Sequence, residues 1–517
     1  MPNRSTDPVF QLIKSLEKSE KRNFKLFVKR NSSSEELKSI RLFDAMDRMT
    51  EYDETNLLKK NPSISKSQLS NLKAQLHRQI LGSLRIIKDE NNIDLQLHEL
   101  LDNARILYNK GLYLQSLKLL DKLKELARSF NQVTYLQQGL FFEKKIEVLY
   151  ITRSLQNRAN QLTQESDAVN DTLQLVNKLS NLSLQLYSWY IQHGHARNEK
   201  DISDIRLFFE SNIPAKSSNA KGFYEKLYLH QSYCWYAFIR LDFLQYYRHS
   251  QKWVDIFEEY PNMLAVETAS FIKGMHNLMS AHFDLRNEPK MAETIKKFEV
   301  FARTKAVKQN PNSRILVYQY LYTARINQYF LQGTFHNGLR MVPFLEKMLK
   351  EYEIYLDAHR VLVFYYKIAS LYFGSGDSSK AVDYLSRIIN SKADLRTDLQ
   401  CYARLLHLIA HYELGNFDLL EYLIKSVYRF MAKMKNLSRV EEEIFSFLRR
   451  SFRLGAHALK PAFEKLLEKL KKYEGNPLEA RTFAYLDLIS WLESKISGVS
   501  VQDVIVKKNE GRRVRGN

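Results

Sequence analysis

The fold is decided by the stretch LVFYYKIASLYFGSGDSSKAVDYLSRIINSKADLRTDLQCYARLLHLIAHYELGNFDLLEYLIKSVYRFM, residues Leu362 to Met431. Two helical hairpins of the same design follow one another in it. Each has an aromatic-rich first helix, a short turn that contains Gly376 or Gly415, and a second helix whose apolar residues return every three or four positions. The stretch therefore predicts a repeated helical hairpin.

Hairpins of this kind recur towards the N-terminus, where Gly111 and Gly333 stand in comparable turns. The turn glycines from Gly333 onwards are further apart than the 34 or so residues of the shortest helical-hairpin repeat, so lengthened helices or linkers are expected. We predict a repeat array over residues 96–436 that is degenerate in 132–211. Closing helices are predicted over 437–498, and a basic, disordered tail over 499–517.

The composition fits an all-α protein with a large core. The chain has 517 residues, of which 44% are hydrophobic and 26% charged, with few glycines and prolines. Lys and Arg outnumber Asp and Glu by 78 to 58, which favours an acidic protein partner, a nucleic acid or an anionic membrane surface. The two cysteines are far apart, and neither a signal peptide nor a membrane span is visible. A cytoplasmic protein is therefore expected.

The region before the array, residues 1–95, is predicted to be a separate helical bundle. Its longest helix begins near Ser65 and has one apolar face. The opposite face carries side-chain types that contact DNA phosphates and base edges. The candidate contacts, with a neighbouring lysine included, are Ser67, Asn71, Lys73, Arg78 and Arg85. We favour a bundle that caps the array, and a DNA-binding helix-turn-helix is the alternative.

Around Gly376 the sequence resembles the tetratricopeptide repeat. The positions that carry the resemblance are a small residue where the two helices cross, an aromatic residue one turn later, the turn itself, and a small residue in the second helix followed by apolar ones. They are Ala369, Tyr372, Gly376, Asp377, Ala381, Leu385 and Ile388. The hairpins at Gly415, Gly333 and Gly111 keep the turn but have Leu420, Gly338 and Ser116 at the second small-residue position.

The resemblance implies a right-handed superhelix whose first helices line a concave groove, and it implies that an extended peptide or a helix binds there. The implied lining consists of Tyr320, Thr323, Asn327, Tyr366, Ser370, Tyr402 and Tyr412. One subset of the family binds a terminal carboxylate through Asn and Lys. Asn327 and Lys367 lie near those places, but Tyr402 and Leu406 follow where basic residues are needed, so we do not predict this clamp.

The motifs that resemble enzyme sites do not meet the spacing that their chemistry requires. The segment GSGDSSK, Gly374 to Lys380, lacks the GxxxxGK spacing of a phosphate-binding loop and joins two helices. His407 and His411 have metal-ligand spacing, but Leu408 stands where a zinc protease needs glutamate. His193 and His195 form a loop pair with no further ligand. No enzyme activity, metal or cofactor is predicted.

From these observations we expect a non-enzymatic scaffold or adaptor that binds a protein or peptide segment in a tyrosine-rich groove. The excess of basic residues favours an acidic partner segment. The alternative is a transcriptional regulator whose N-terminal helices bind DNA while the repeats sense a peptide or protein ligand. The two differ in a simple observable, since DNA binding through phosphates weakens steeply as salt rises.

Overall fold

The computed structural model describes residues 7–30, 34–86, 92–149, 157–352, 355–391, 397–434, 437–451, 454–476, 478–479, 482–483 and 486–515. The structure is 83% helical, and the described residues include no strand. The prediction of an all-α fold is therefore confirmed. Most helices pack against the next one or two in sequence, which is compatible with a helical repeat protein.

Contacts divide the chain into two compact units, Met1–Gln96 and Leu97–Asn517. The helices of the first unit are α1 (Pro8–Ser15), α2 (Lys18–Arg30), α3 (Ser34–Arg48), α4 (Glu54–Lys60) and α5 (Lys66–Ile86). Asp7 caps α1, since its Oδ1 accepts hydrogen bonds of 3.0 Å from the backbone N–H groups of Val9 and Phe10. Ile13, Phe24 and Leu76 are fully buried between these helices.

The N-terminal part of the second unit contains the longest helix. Its elements are α6 (Ile93–Asn109), α7 (Tyr113–Ser129), α8 (Val133–Glu147), α9 (Arg158–His193), α10 (Glu199–Asn212), a 3₁₀ turn (Ala215–Asn219), α11 (Phe223–Ile239) and α12 (Phe243–Glu259). Helix α9, with 36 residues, lies in the region predicted to be degenerate. It packs against both α8 and α11 and so connects the hairpin of α7 and α8 to the later ones.

Regular hairpins follow. Their helices are α13 (Met263–Val266), α14 (Thr268–Asp284), α15 (Glu288–Ala302), α16 (Lys305–Lys308), α17 (Pro311–Gln332), α18 (Phe335–Leu339), α19 (Val342–Glu351), α20 (Ala358–Gly374), α21 (Ser378–Ile389), α22 (Thr397–Glu413) and α23 (Phe417–Lys433). Gly333, Gly376 and Gly415 have φ values of 70°, 92° and 72°. This left-handed conformation, which glycine adopts without strain, lets each first helix end and the second begin within a few residues.

The C-terminal helices are α24 (Arg439–Ser451), α25 (Ala456–Tyr473), α26 (Leu488–Ser497) and α27 (Val501–Arg515). Helix α27 corrects the prediction of a disordered tail. It forms because Val504 and Ile505 are buried, and it packs against α17, where a Cβ on Gly333 would lie 3.0 Å from Ile505. Residues 516 and 517 lie outside the described residues.

Candidate functional site

The structure separates the predicted groove residues into buried and partly exposed ones. The buried side chains are those of Tyr320, Asn327, Tyr366 and Tyr402, the last with 0% exposure. Thr323, Ser370 and Tyr412 are partly exposed. Burial also raises the pKa of Tyr366 well above its usual value. The buried tyrosine rings fill space between helices in this structure, and the partner-binding role of the seven residues stays a prediction.

A different set of side chains is partly exposed on the first helices α14 and α20. Lys273 lies on α14, and Arg360 and Lys367 lie on α20. We refer to these three residues as the basic face. Lys273 Nζ lies 4.5 Å from the ring centroid of Tyr187 on α9 and 5.2 Å from that of Trp235 on α11. The ammonium group therefore rests on aromatic rings, which are weak partners for a positive charge.

The other two cations of the basic face are hydrogen-bonded to side-chain amides on α17. Lys367 Nζ donates to Asn327 Oδ1, and Arg360 Nη1 donates to Gln319 Oε1. Arg360 Nε also lies 3.0 Å from Oδ2 of Asp357, an exposed residue at the start of its own helix. These contacts hold the side chains across the junction between α17 and α20, so the basic face belongs to more than one hairpin.

His276 lies one helical turn after Lys273 on α14. Its ring stacks on Tyr320 with centroids 4.2 Å apart and planes inclined by 15°. Burial, together with the charges of Lys273, Lys367 and Arg360, lowers the pKa of His276 to about 3. The imidazole is therefore uncharged at neutral pH. The positive charges of all three cations, which come from the two helices α14 and α20, affect this one imidazole.

Lys273 is not neutralised by any carboxylate. Among the residues that the structure describes it forms neither a hydrogen bond nor an ion pair, and burial together with the charge of Arg360 lowers its pKa to about 8. Burial likewise lowers the pKa of Lys367 to about 8, against the attraction of Asp284. Cations held away from water without a close carboxylate are costly, and such groups are frequent at binding sites. The basic face can therefore accept an anion.

The five residues of the DNA-binding alternative all lie on α5. Four of them are exposed, namely Ser67, Asn71, Arg78 and Arg85. Lys73 differs, because its Nζ lies 2.8 Å from Asp7 Oδ2 and donates to the Tyr52 hydroxyl. Burial lowers the pKa of Lys73, but its bonds to Asp7 and Tyr52 outweigh burial and raise that pKa overall. Lys73 thus connects α5 to the start of α1 within the N-terminal unit.

The segment from Gly374 to Lys380 forms the turn between α20 and α21. Gly376 has the left-handed backbone described above, and Asp377 Oδ1 accepts a 3.0 Å hydrogen bond from the backbone N–H of Lys380. The aspartate is thus the N-terminal cap of α21. In this structure the residues that resemble a phosphate-binding loop serve to end one helix and begin the next.

The histidine pairs have structural partners. The rings of His407 and His411 lie 4.4 Å apart, and burial lowers the pKa of His407 to about 4. His195 Nδ1 lies 2.8 Å from the Phe238 carbonyl oxygen, and the His193 ring packs on Trp189. Within the described part of the chain no group of three or more His, Cys, Asp or Glu side chains could hold a metal ion.

Sequence reasoning missed Lys273 and Arg360, although one signal was visible. Lys273 is a charged residue among the apolar ones of the helix TASFIKGMHNLMSAHFD, in which Ile272, Met275 and Met279 are buried. A single lysine on the inward side of such a helix is unusual. Arg360 had no comparable signal, because its position beside His276 depends on how α14, α17 and α20 pack together.

Comparisons with known proteins give no family model that matches the chain and no curated protein that matches it. Across the described residues, none of the helices combines the length and the apolar character that a membrane crossing requires. The function must therefore be argued from the geometry of the chain itself.

Proposed function

We propose that the second unit is a non-enzymatic scaffold that binds an acidic segment of a partner protein on its basic face. One observation carries the proposal: Lys273 on α14 and Lys367 on α20, the first helices on either side of α17, are only partly exposed, and within the described residues neither is bonded to a carboxylate. An aspartate or glutamate side chain of a partner would supply the missing charge, and hydrogen bonds to charged groups are the stronger ones.

The surroundings of the basic face suit a peptide or helix better than a lone ion. Tyr187 and Trp235 place aromatic surface next to Lys273, and Gln319 and Asn327 place amide groups next to the other two cations. Aromatic rings bury the apolar part of a bound segment, and amides can bond its backbone. The net charge of +20 would also speed the approach of an acidic partner.

The proposal includes an architecture and a location. We propose that the hairpins form a superhelix of the tetratricopeptide type, in which the basic face lies on the concave side, as the first helices do in that family. We also propose that the protein works in the cytoplasm. Cys234 and Cys401 are buried and form no disulfide in this structure, which suits a reducing compartment.

The test is binding of a fluorescent glutamate-rich peptide, measured by anisotropy, with a lysine-rich peptide of equal length as comparison. We expect the acidic peptide alone to bind. The double substitution Lys273→Met and Lys367→Met should weaken binding at least tenfold, since a charge-assisted hydrogen bond contributes about 1.5–3 kcal/mol. The matched control is Lys296→Met with Lys347→Met, which removes the same charge from exposed positions on α15 and α19.

Two results would reject this assignment. If the control pair weakens binding as much as the basic-face pair, the attraction comes from net charge alone. If the wild-type protein binds neither peptide at low salt, the basic face is not a site for acidic segments.

A second candidate function is DNA binding by the N-terminal unit, which is favoured by the four exposed polar side chains along one face of α5. Under this proposal Arg78→Gln weakens binding of duplex DNA and reduces the salt dependence of its affinity by about one phosphate contact. Arg41→Gln, at an exposed position of α3, has no such effect. Absence of duplex binding even at low salt would eliminate the candidate.

A further inference from the structure

A cavity of about 290 Å³ lies in the second unit, at the C-terminal ends of the first helices. Its walls come from the array on one side and from α26 and α27 on the other. Most of the wall is aromatic or aliphatic, including Phe243, Phe283, Phe330, Phe373, Ile409 and Trp491. The cavity is close in size to the smaller ligand pockets of proteins and has the largely apolar lining that is typical of them.

The C-terminal helices are fixed around this cavity by polar contacts. Trp491 Nε1 donates a 2.8 Å hydrogen bond to Glu413 Oε1, and Lys495 pairs with the same carboxylate. Arg286 Nη1 lies 3.8 Å from Asp487 Oδ2, and Asn509 Nδ2 donates to the Leu331 carbonyl oxygen. These bonds join the two walls of the cavity at a fixed distance. The space between the walls is therefore part of the folded structure.

Asp284 stands out among the charged groups of the cavity wall. Asp284, the last residue of α14, lines the cavity, and within the described residues its carboxylate makes neither a hydrogen bond nor an ion pair. The other acidic residues of the lining are placed differently, because Asp487 pairs with Arg286 and caps α26, while Glu474 is exposed. A carboxylate in apolar surroundings without a donor is costly, and a bound cation would relieve that cost.

The groups that act on Asp284 are few. Lys367 on α20 attracts the carboxylate without bonding to it, and the buried Tyr246 hydroxyl on α12 is near enough to respond to its charge. Burial raises the pKa of Asp284 to about 7, against the effect of Lys367. Arg286 and Glu474 share the cavity wall. Asp284 is therefore partly ionised at neutral pH, and a cationic ligand would favour its charged form.

We propose that this cavity binds a small amphipathic cation, an aromatic or branched apolar group that carries one protonated amine, with the amine paired to Asp284. The apolar group fills the space between Phe330, Phe373 and Trp491. A neutral ligand of the same shape would leave the carboxylate without a partner, and an anion would repel it. This inference does not depend on the basic face or on a protein partner.

The experiment uses the full-length protein and isothermal titration calorimetry with three probes: 2-phenylethylamine, the neutral 2-phenylethanol and the anionic 3-phenylpropanoate. We expect the amine alone to bind. Its affinity should rise about tenfold from pH 6 to pH 8, because a carboxyl with a pKa of about 7 goes from about one tenth to about nine tenths ionised over that range.

Two variants separate the roles of charge and shape. Asp284→Asn should abolish both amine binding and its pH dependence, whereas the control Glu464→Gln, which alters an exposed carboxylate on α25 outside the cavity lining, should leave both unchanged. Ser370→Leu narrows the cavity without changing charge, and it should weaken amine binding at least tenfold at both pH values. Tight binding of 2-phenylethanol, no binding of the amine to the wild type, or unchanged binding by Asp284→Asn would each overturn the proposal.

Discussion

Buried charges are neutralised in one region of the second unit and left without a bonded counter-charge in another. Where α7, α8 and α9 meet, Lys124 and Arg158 share the carboxylate of Glu143, and the side chains of Lys124 and Glu143 are only 4% and 0% exposed. Around α14 and α20, by contrast, the part of the chain that the structure describes gives Lys273 and Lys367 no bonded carboxylate and Asp284 no bonded cation. Both regions lie in the second unit and are helical.

The difference separates structural charges from candidate binding groups. A buried ion pair is satisfied within the fold, and removing one member leaves the other without compensation. An uncompensated charge gains from a ligand that supplies its partner, so its removal relieves a cost of folding. The two regions should therefore respond to neutralising substitutions with opposite signs.

The largest effect is expected in the neutralised region. Glu143→Gln removes the buried carboxylate that Lys124 and Arg158 share. Each cation keeps one more exposed partner, Asp121 for Lys124 and Glu165 for Arg158, so the free energy of unfolding should fall by about 3 kcal/mol, the lower end of the cost of breaking a buried pair. Burial raises the pKa of Glu143, but the bonds from Arg158 and Lys124 outweigh it and hold that pKa below its usual value. The stability that Glu143 contributes is thus present above the unfolded pKa and lost as pH falls through the lower folded value.

Urea denaturation at pH 7 measures this effect. The control is Glu125→Gln on α7, an exposed carboxylate next to Lys124 in sequence, for which a change within about 0.5 kcal/mol is expected. Equal denaturation midpoints for the Glu143 variant and the wild type would show that the ion pair does not stabilise the fold.

The opposite change, an increase in the free energy of unfolding at neutral pH, is expected for Asp284→Asn. Because the folded pKa of Asp284 is raised to about 7, its contribution is most favourable below the unfolded value near 4 and is lost as pH rises through 7. The asparagine of the variant has no proton to lose in this range. The free energy of unfolding of the variant, relative to that of the wild type, should therefore rise by on the order of 2 kcal/mol between pH 5 and pH 8. Thermal unfolding at both pH values tests this, and a constant difference would contradict the uncompensated state of Asp284.

A smaller effect is expected for Lys273→Met. At pH 7 the variant should differ from the wild type by about 1 kcal/mol or less, because loss of the aromatic contacts offsets relief of the uncompensated charge. The folded pKa of about 8 is below that of an unfolded lysine, so the wild type should gain stability relative to the variant as pH rises from 8 to 10. Denaturation curves that stay parallel over this range would argue that Lys273 is well solvated.

The same contrast explains what the sequence could predict. Helical periodicity and turn glycines such as Gly376 and Gly415 were sufficient for the all-α fold and for those hairpin turns, because both depend on local spacing. Helix α27 was missed because its burial depends on contact with Gly333, far away in sequence. The charge states of Lys273 and Asp284 could not be predicted either, since a missing partner is a property of packing. Glu143 gave no signal for the same reason.

A similarly small effect is expected in the N-terminal unit, where Lys73 is a partly exposed cation with a bonded partner, Asp7. Asp7 neutralises the charge of Lys73, but water screens this ion pair. Lys73→Met should therefore lower the free energy of unfolding by only about 1 kcal/mol. Amide hydrogen exchange in α5 should become up to about fivefold faster, since 1.4 kcal/mol corresponds to a factor of ten. Arg78→Met, at an exposed position of the same helix, should leave exchange unchanged. If both substitutions speed exchange equally, a change in helix propensity accounts for the result and the bond to Asp7 does not. In that case Lys73 is not needed for the stability of the unit and could serve the contacts with DNA that the sequence predicted.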